Sequence, residues 1–320
     1  MKIAVLGPGG VGGLVAGALD RAGTSVIVVA RESTAEAISA RGLRVSSVML
    51  GDFVAHPQAV TRLKEPVDAL IVATKASGLQ EALERIDAQP TLVLPLLNGL
   101  DHIAALRARL QAAGAPESVT GTHPPRAVTH VLAGTIRVEA DRPEPGVVVH
   151  TSPFLLVDMA SHDPAARSGM EALAKALSDA GVPVRVLNSE ADVMWSKLVR
   201  LNALACTTSA YDKLLGEIRS TPELRADLLG TIEEGCAVGR AEGAQDVDPA
   251  TAMAELGMAH DTLGSSMQRD IAAGRPPELD AIPGAVLRAA ARHGLRCPTI
   301  ERLVAIIAAR TGIPAPLVAR

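Results

Sequence analysis

Hydrophobic positions in the first half of the chain fall into short continuous runs separated by amphipathic stretches. The runs at 2–6, 25–30, 68–73 and 91–96 are strand-length and apolar throughout, which predicts strands buried on both faces. Between them, 11–22, 33–41, 78–86 and 100–113 carry helix-period patterns. The alternation predicts an α/β fold, a parallel sheet with helices on both faces. Over 119–158 the pattern changes. Thr135-Ile136-Arg137-Val138-Glu139 alternates with period two, and Val147-Val148-Val149 and Phe154-Leu155-Leu156-Val157 also read as strands. This stretch predicts an antiparallel extension of the sheet, with Asp141-Arg142-Pro143-Glu144-Pro145-Gly146 as a turn. A helix near 163–180 and a strand at 183–187 close the unit.

From residue 190 onward strand signals almost vanish. Ser189-Glu190-Ala191-Asp192 resembles a capping box and starts a long helix. Further helices are predicted at 222–243, 249–259, 283–293 and 299–310. A chain of 320 residues accommodates two medium domains. The expected division is an α/β domain at 1–188 and an all-α domain at 189–320.

The first apolar run, Lys2-Ile3-Ala4-Val5-Leu6, ends in Gly7-Pro8-Gly9-Gly10-Val11-Gly12-Gly13. A small-residue helix pattern follows, then the second run and Arg31. Strand, glycine turn, helix and strand in this order form the opening of a dinucleotide-binding fold, so the α/β domain at 1–188 is expected to be a Rossmann-like nucleotide-binding domain. Gly7 permits the tight turn, Gly9 lets a pyrophosphate approach the backbone, and Gly12 lets the helix pack closely. The helix N-terminus presents free N–H groups and a positive dipole end to phosphates. Gly7, Pro8, Gly9, Gly10, Val11 and Gly12 are therefore candidate cofactor contacts. At the end of the second run an NAD-binding chain usually has an acid for the ribose hydroxyls, whereas Arg31 suits a 2′-phosphate and points to NADP(H). The competing reading makes Arg31 a solvated loop residue and gives an NAD ribose to Glu32.

Bulk properties narrow the remaining classes. A net charge of −4 with both signs scattered argues against a broad nucleic-acid surface. Phe53, Phe154, Trp195 and Tyr211 are the only aromatic residues, too few for base-stacking platforms. No apolar run has membrane-spanning length, and Met1-Lys2 leads straight into the first strand, so neither a membrane span nor a secretory leader is expected. Cys206, Cys236 and Cys297 are far apart and lack metal-ligand spacing, which predicts reduced, buried thiols in a cytoplasmic protein and no metal site.

Four further positions carry candidate chemistry. Lys75 follows the third apolar run, where it either approaches the cofactor's adenosine end or is solvated. Asn98-Gly99 follows the fourth. Its amide can donate and accept at once, as a ribose or carbonyl contact requires, or it caps the next helix. Lys197 lies in a helical apolar stripe with Val193, Leu201 and Leu204. It either snorkels to water or is partly desolvated into a better proton donor. Glu278 follows Pro276-Pro277 and either pairs with a lysine or is a solvated acid at a helix start.

Taken together, these segments resemble the ketopantoate reductase (2-dehydropantoate 2-reductase) family. The matching residues are Gly7-Pro8-Gly9-Gly10-Val11-Gly12, Arg31, Thr74-Lys75-Ala76, Asn98-Gly99, Trp195-Ser196-Lys197-Leu198, Ser265-Ser266-Met267 with Asp270, Arg275-Pro276-Pro277-Glu278-Leu279-Asp280, Gly284 and His293-Gly294-Leu295-Arg296-Cys297-Pro298. They span nearly the whole chain in family order. The resemblance implies NADPH-dependent reduction of a small 2-oxo acid, with ketopantoate to pantoate, a step of pantothenate biosynthesis, as the reference reaction. It implies that Lys197 is the proton donor, that Asn98 faces cofactor and substrate, that Glu278 contacts the cofactor and orders the site, and that Ser266 contacts substrate. Arg31 and Lys75 are implied near the adenosine end of NADPH, and a homodimer through the helical domain fits the resemblance.

One departure bears on specificity. The family's pantoate-forming members carry asparagines four and eight residues after the lysine, where this chain has Leu201 and Ala205. Asn202 is displaced by one position, a rotation of about 100° on a helix, and is kept beside Lys197 and Ser266 as a candidate substrate contact. Thr208 continues the lysine face and is a candidate to compensate. Thr122-His123-Pro124-Pro125-Arg126 also differs from the usual cofactor-side loop. The alternatives are an NADP-dependent oxidoreductase for another carbonyl or imine, and a non-catalytic NADP(H)-sensing protein.

Overall fold

The computed structural model describes residues 1–111 and 128–317, so the 122–126 loop lies outside the described residues. The chain divides into two compact units. One comprises Met1–Leu97 with His102–Glu190, the other Asn98–Asp101 with Ala191–Arg320.

The first unit is built on a six-stranded sheet of β1 (Lys2–Leu6), β2 (Ser25–Val29), β5 (Gln58–Val60), β6 (Ala69–Val72), β7 (Leu92–Pro95) and β8 (His130–Val131). Their spatial order is β5-β2-β1-β6-β7-β8, with every pairing parallel. The order reverses direction at β1, as in a doubly wound nucleotide-binding fold. The apolar runs are continuous because both faces are covered. Ile3 and Val5 join one core with α1 (Gly10–Arg21) and α5 (Arg167–Asp179), while Ala4 and Leu6 join another with α3 (Leu79–Leu83) and α4 (Asp101–Leu106). The helix expected at 100–113 is α4 followed by a π-type turn, Arg107–Gln111.

The expected antiparallel extension is instead two separate small sheets. In one, β10 (Ala140–Glu144), β11 (Val147–His150), β3 (Leu43–Ser47) and β4 (Phe53–Ala55) lie side by side. In the other, β12 (Leu156–Ala160) lies between β9 (Ala133–Arg137) and β13 (Val184–Val186). Of the stretch expected to be a turn, Asp141 to Gly146, the first four residues belong to strand β10 and only Pro145 and Gly146 form the turn. β10 forms a sheet edge with a register irregularity between Asp141 and Glu144, where Pro143 and charged side chains are tolerated. The glycine face of α1 packs on this sheet, Gly13 against Val148 and Gly17 against Val45. α2 (Glu32–Arg41) follows β2.

The second unit is helical: α6 (Glu190–Tyr211, from Ala191 on), α7 (Leu215–Ser220), α8 (Pro222–Ala241), α9 (Pro249–Met258), α10 (Ser266–Ala272), α11 (Ala285–Arg292) and α12 (Pro298–Thr311). Trp195 and Val199, one turn apart on α6, pack over Gly239 and Gly235, one turn apart on α8. Asp192 Oδ1 accepts the backbone N–H groups of Gln245 and Asp246, which ties the start of α6 to the α8–α9 loop. α6 is thus held along the segment that carries Lys197. Among the described residues no helix is long and apolar enough to cross a membrane.

Candidate active site

In the first unit the glycine turn has one open position. Gly7 has φ +87°, and its N–H donates to Val29 O at 3.1 Å. A Cβ on Gly7 would meet Thr74 Cγ2 at 2.7 Å, and one on Gly10 or Gly12 would overlap the carbonyl of Ala140 or Gly7. A Cβ on Gly9 would meet nothing within 4 Å. Gly9 also occupies the N-cap of α1, where no side chain caps the helix and the first turn holds no acid. The first N–H groups of a helix have no intrahelical acceptor, and the open side at Gly9 leaves room for a phosphate. Thr74 Oγ1, beside this turn, is buried without a hydrogen-bond partner among the described residues. These features fit a dinucleotide pyrophosphate.

Arg31 is the N-cap residue of α2, two residues after the end of β2. Its side chain is 70% exposed and Nη2 donates to Glu81 Oε2 at 3.1 Å, a solvent-screened pair that a stronger anion can displace. Glu32 is engaged differently. Its own backbone N–H first, and then the Arg85 guanidinium 3.1 Å away, hold its carboxyl below the ordinary range. Lys75 is exposed at the start of the short 3-10 turn Ala76–Gly78.

In the second unit three polar side chains from distant segments form one chain. Lys197 Nζ donates to Asn98 Oδ1 at 2.9 Å, and Asn98 Nδ2 donates to Glu278 Oε2 at 3.0 Å. All three residues are half-buried. The amide is oriented by its neighbours, with its acceptor toward the ammonium and its donor toward the carboxylate. Asn98 is not a helix cap, because it lies three residues before α4 with its side chain engaged here. Lys197 is directed at Asn98 rather than simply snorkelling. Gly99 has φ +89°, and a Cβ on it would overlap the carbonyl of Ala281. This close approach of the two loops went unassigned in the sequence, although the Asn-Gly pair signalled a turn.

Two substrate-side expectations need restating. Asn202 is wholly buried, and its Oδ1 accepts from the Cys206 thiol, so it presents no surface to a ligand. Thr208 is also wholly buried, donating to Leu204 O and paired with Ser265 Oγ at 2.8 Å, which corrects its candidacy as a compensating contact. Ser265 caps α10, and Ser266 is the half-buried first residue of that helix. Ser265's partner Thr208 lies three turns of α6 beyond Lys197. The cysteines are buried thiols. Burial pushes Cys236 up to about 11 and Cys297 up to about 12, and Cys206 higher still. Among the described residues no group of three or more His, Cys, Asp or Glu is placed to hold a metal ion.

Comparisons with known proteins bear on both units. Residues 3–158 match the family model "Ketopantoate reductase PanE/ApbA", and residues 191–311 match its C-terminal counterpart. A 2-dehydropantoate 2-reductase of Mycobacterium tuberculosis is 30% identical over 98% of each chain. The crystal structure of a PanE/ApbA family ketopantoate reductase from Ralstonia eutropha aligns with TM-score 0.81 at 26% identity, over 98% of this chain and 99% of that one. The same fold occurs in D-mandelate dehydrogenase, with TM-score 0.81 at 20% identity over 98% of this chain and 99% of that one. The first matched block contains the glycine turn and Asn98 and the second contains Lys197 and Glu278, so the chain belongs to the ketopantoate reductase family of nicotinamide-dependent oxidoreductases.

Proposed function

We propose that this chain reduces a small 2-oxo acid to the 2-hydroxy acid with NADPH, with 2-dehydropantoate as the reference substrate. The observation that carries this reading is the Lys197–Asn98–Glu278 chain. The glycine turn, with Gly7, Pro8, Gly9, Gly10, Val11 and Gly12, would hold the pyrophosphate, and Arg31 and Lys75 the adenosine end. Exposed Arg31 supports NADP(H), since the competing acid Glu32 is already engaged by Arg85. When bound, the reduced nicotinamide supplies the hydride that the carbonyl carbon receives.

The protein's own part is to stabilise and protonate the carbonyl oxygen. Negative charge grows on that oxygen as the carbon–oxygen π bond opens, and the Lys197 ammonium is the stabilising cation. Lys197 then gives a proton to the oxygen, forming the hydroxyl, and recovers one from solvent. Asn98 accepts from Lys197 and so helps to orient its Nζ, and Glu278 accepts from the amide of Asn98. Ser266 stands as the proposed substrate contact on α10.

A second reading, a different carbonyl or imine substrate, is favoured by the α6 surface beyond the lysine. Leu201 is a half-buried apolar side chain, Ala205 is wholly buried, and Asn202 is turned into the core. The test is NADPH oxidation with ketopantoate and with a panel of apolar 2-oxo acids. Lys197→Ala should lower turnover by about 10²–10⁴. Near-normal turnover by a folded Lys197→Ala protein would remove the lysine from its role.

A further inference from the structure

Arg288, on α11, lies outside every segment assigned a role above except through its contacts. Its Nε and Nη2 donate to Asp101 Oδ2 at 3.1 and 2.6 Å. Its Nη1 donates to Asp280 Oδ1 at 2.7 Å, and Nη2 also to the Asp280 carbonyl at 2.9 Å. The Arg288 side chain is 25% exposed, while its partners Asp101 and Asp280 reach further into solvent at 51% and 75%, so the geometry of the fork rather than burial is what joins the two segments. Asp101 comes three residues after Asn98, and Asp280 two residues after Glu278.

The same two segments meet at Gly99, which packs directly on the Ala281 carbonyl, and at Asn98, which donates to Glu278. Gly284, one turn before Arg288, is closely covered: a Cβ there would meet the Pro316 ring at 2.8 Å and Arg288 Nη1 at 3.2 Å. The π-type turn Asp280–Gly284 leads into α11 and sets Asp280, Gly284 and Arg288 within reach of one another. A planar fork with several fixed donors can bind two carboxylates and a carbonyl at once, whereas a lysine ammonium offers one point charge.

We propose that Arg288 is a positioning residue for the Lys197–Asn98–Glu278 chain. By clamping Asp101 to Asp280, it sets the distance between the loops that carry Asn98 and Glu278, and so the direction in which Asn98 Oδ1 receives Lys197. The catalytic side of this inference rests on the proposed reductase function, and its structural side does not.

Two readouts separate those sides. In the 320-residue chain labelled with ¹⁵N-asparagine, the side-chain amides come from Asn98, Asn188 and Asn202. Arg288→Met should move the Asn98 amide signal, identified by its loss in Asn98→Ala, and leave that of Asn188 in place. With a 2-oxo acid that the wild type reduces, Arg288→Met should lower kcat by about 10–100-fold while the NADPH Kd stays within about threefold. Arg288→Lys should recover part of the loss. Asp280→Asn removes one arm of the clamp more gently and should show the same pattern should Arg288→Met fail to fold. An unmoved Asn98 amide in folded variants, or a kcat within about twofold of wild type, overturns the proposal. A wild type that turns over no 2-oxo acid refutes the reductase reading, and the amide signal still decides whether Arg288 positions Asn98.

Discussion

Gly99→Ala tests the loop contact under the site most directly. Two effects act together. The backbone at φ +89° disfavours any side chain, and the new Cβ would fall about 1 Å inside the 3.0 Å that Cβ atoms keep from a neighbour. The obstructing atom is the Ala281 carbonyl oxygen, a main-chain atom that cannot swing aside. Left-handed backbone in an L-residue costs about 1–2 kcal/mol, and overpacking adds about 1–3 kcal/mol, so a loss of about 2–5 kcal/mol is expected. Relief requires the Asn98 loop or the Glu278 loop to move by about 1 Å, a misplacement worth about 10² in rate. Urea unfolding followed by Trp195, the only tryptophan and a member of the helical core, reports the stability of that unit. Gly243→Ala is the control, because Gly243 has φ +95° with nothing within 4 Å of an added Cβ. If Gly99→Ala is no more destabilising than Gly243→Ala and keeps wild-type kcat, the contact with Ala281 does not position the site.

Gly9→Ala should leave stability within about 0.5 kcal/mol, because its Cβ meets nothing and its φ of −75° suits alanine. It should nevertheless weaken NADPH binding by about tenfold or more as the phosphate loses charge-assisted bonds to the helix start, as isothermal titration would show. Arg31→Ala should raise the NADPH Kd by about 10–100-fold and leave that for NADH unchanged; equal effects on both would favour Glu32 and NAD. Burial holds all three thiols well above neutral pKa values, so none should react with a disulfide reagent in mildly alkaline buffer until the protein is unfolded.

Four of the six strands of the parallel sheet, β1, β2, β6 and β7, were legible because burial on both faces keeps their apolar runs nearly continuous. β3 escaped because Arg44 and Ser46 alternate with its buried residues, and β4 and β5 are three residues each. β10 reads as part of a turn in the sequence because an edge strand tolerates the Asp, Arg and Pro that elsewhere mark loops, and only its end, Pro145-Gly146, is one. At the candidate site, Asn98, Lys197 and Glu278 each had an ordinary explanation alone. Local spacing cannot show that residues 99 and 180 positions apart share hydrogen bonds, so family resemblance had to join them. Arg288 was invisible for the same reason, since its partner Asp101 is 187 residues away. Asn202 misled because a polar residue one position off a functional face can equally be a buried one.

The excursion of Asn98–Asp101 into the helical unit makes the two halves of this protein poor modular parts. A chimera joined near residue 190 would take Lys197, Glu278, Ala281 and Arg288 from one parent and Asn98, Gly99 and Asp101 from the other. Each half would be intact as a fold, yet the loop from one parent would have to fit a socket shaped by the other. Exchanges of substrate preference between relatives should therefore succeed more often when residues 98–101 travel with the helices than when the break is made at the linker alone.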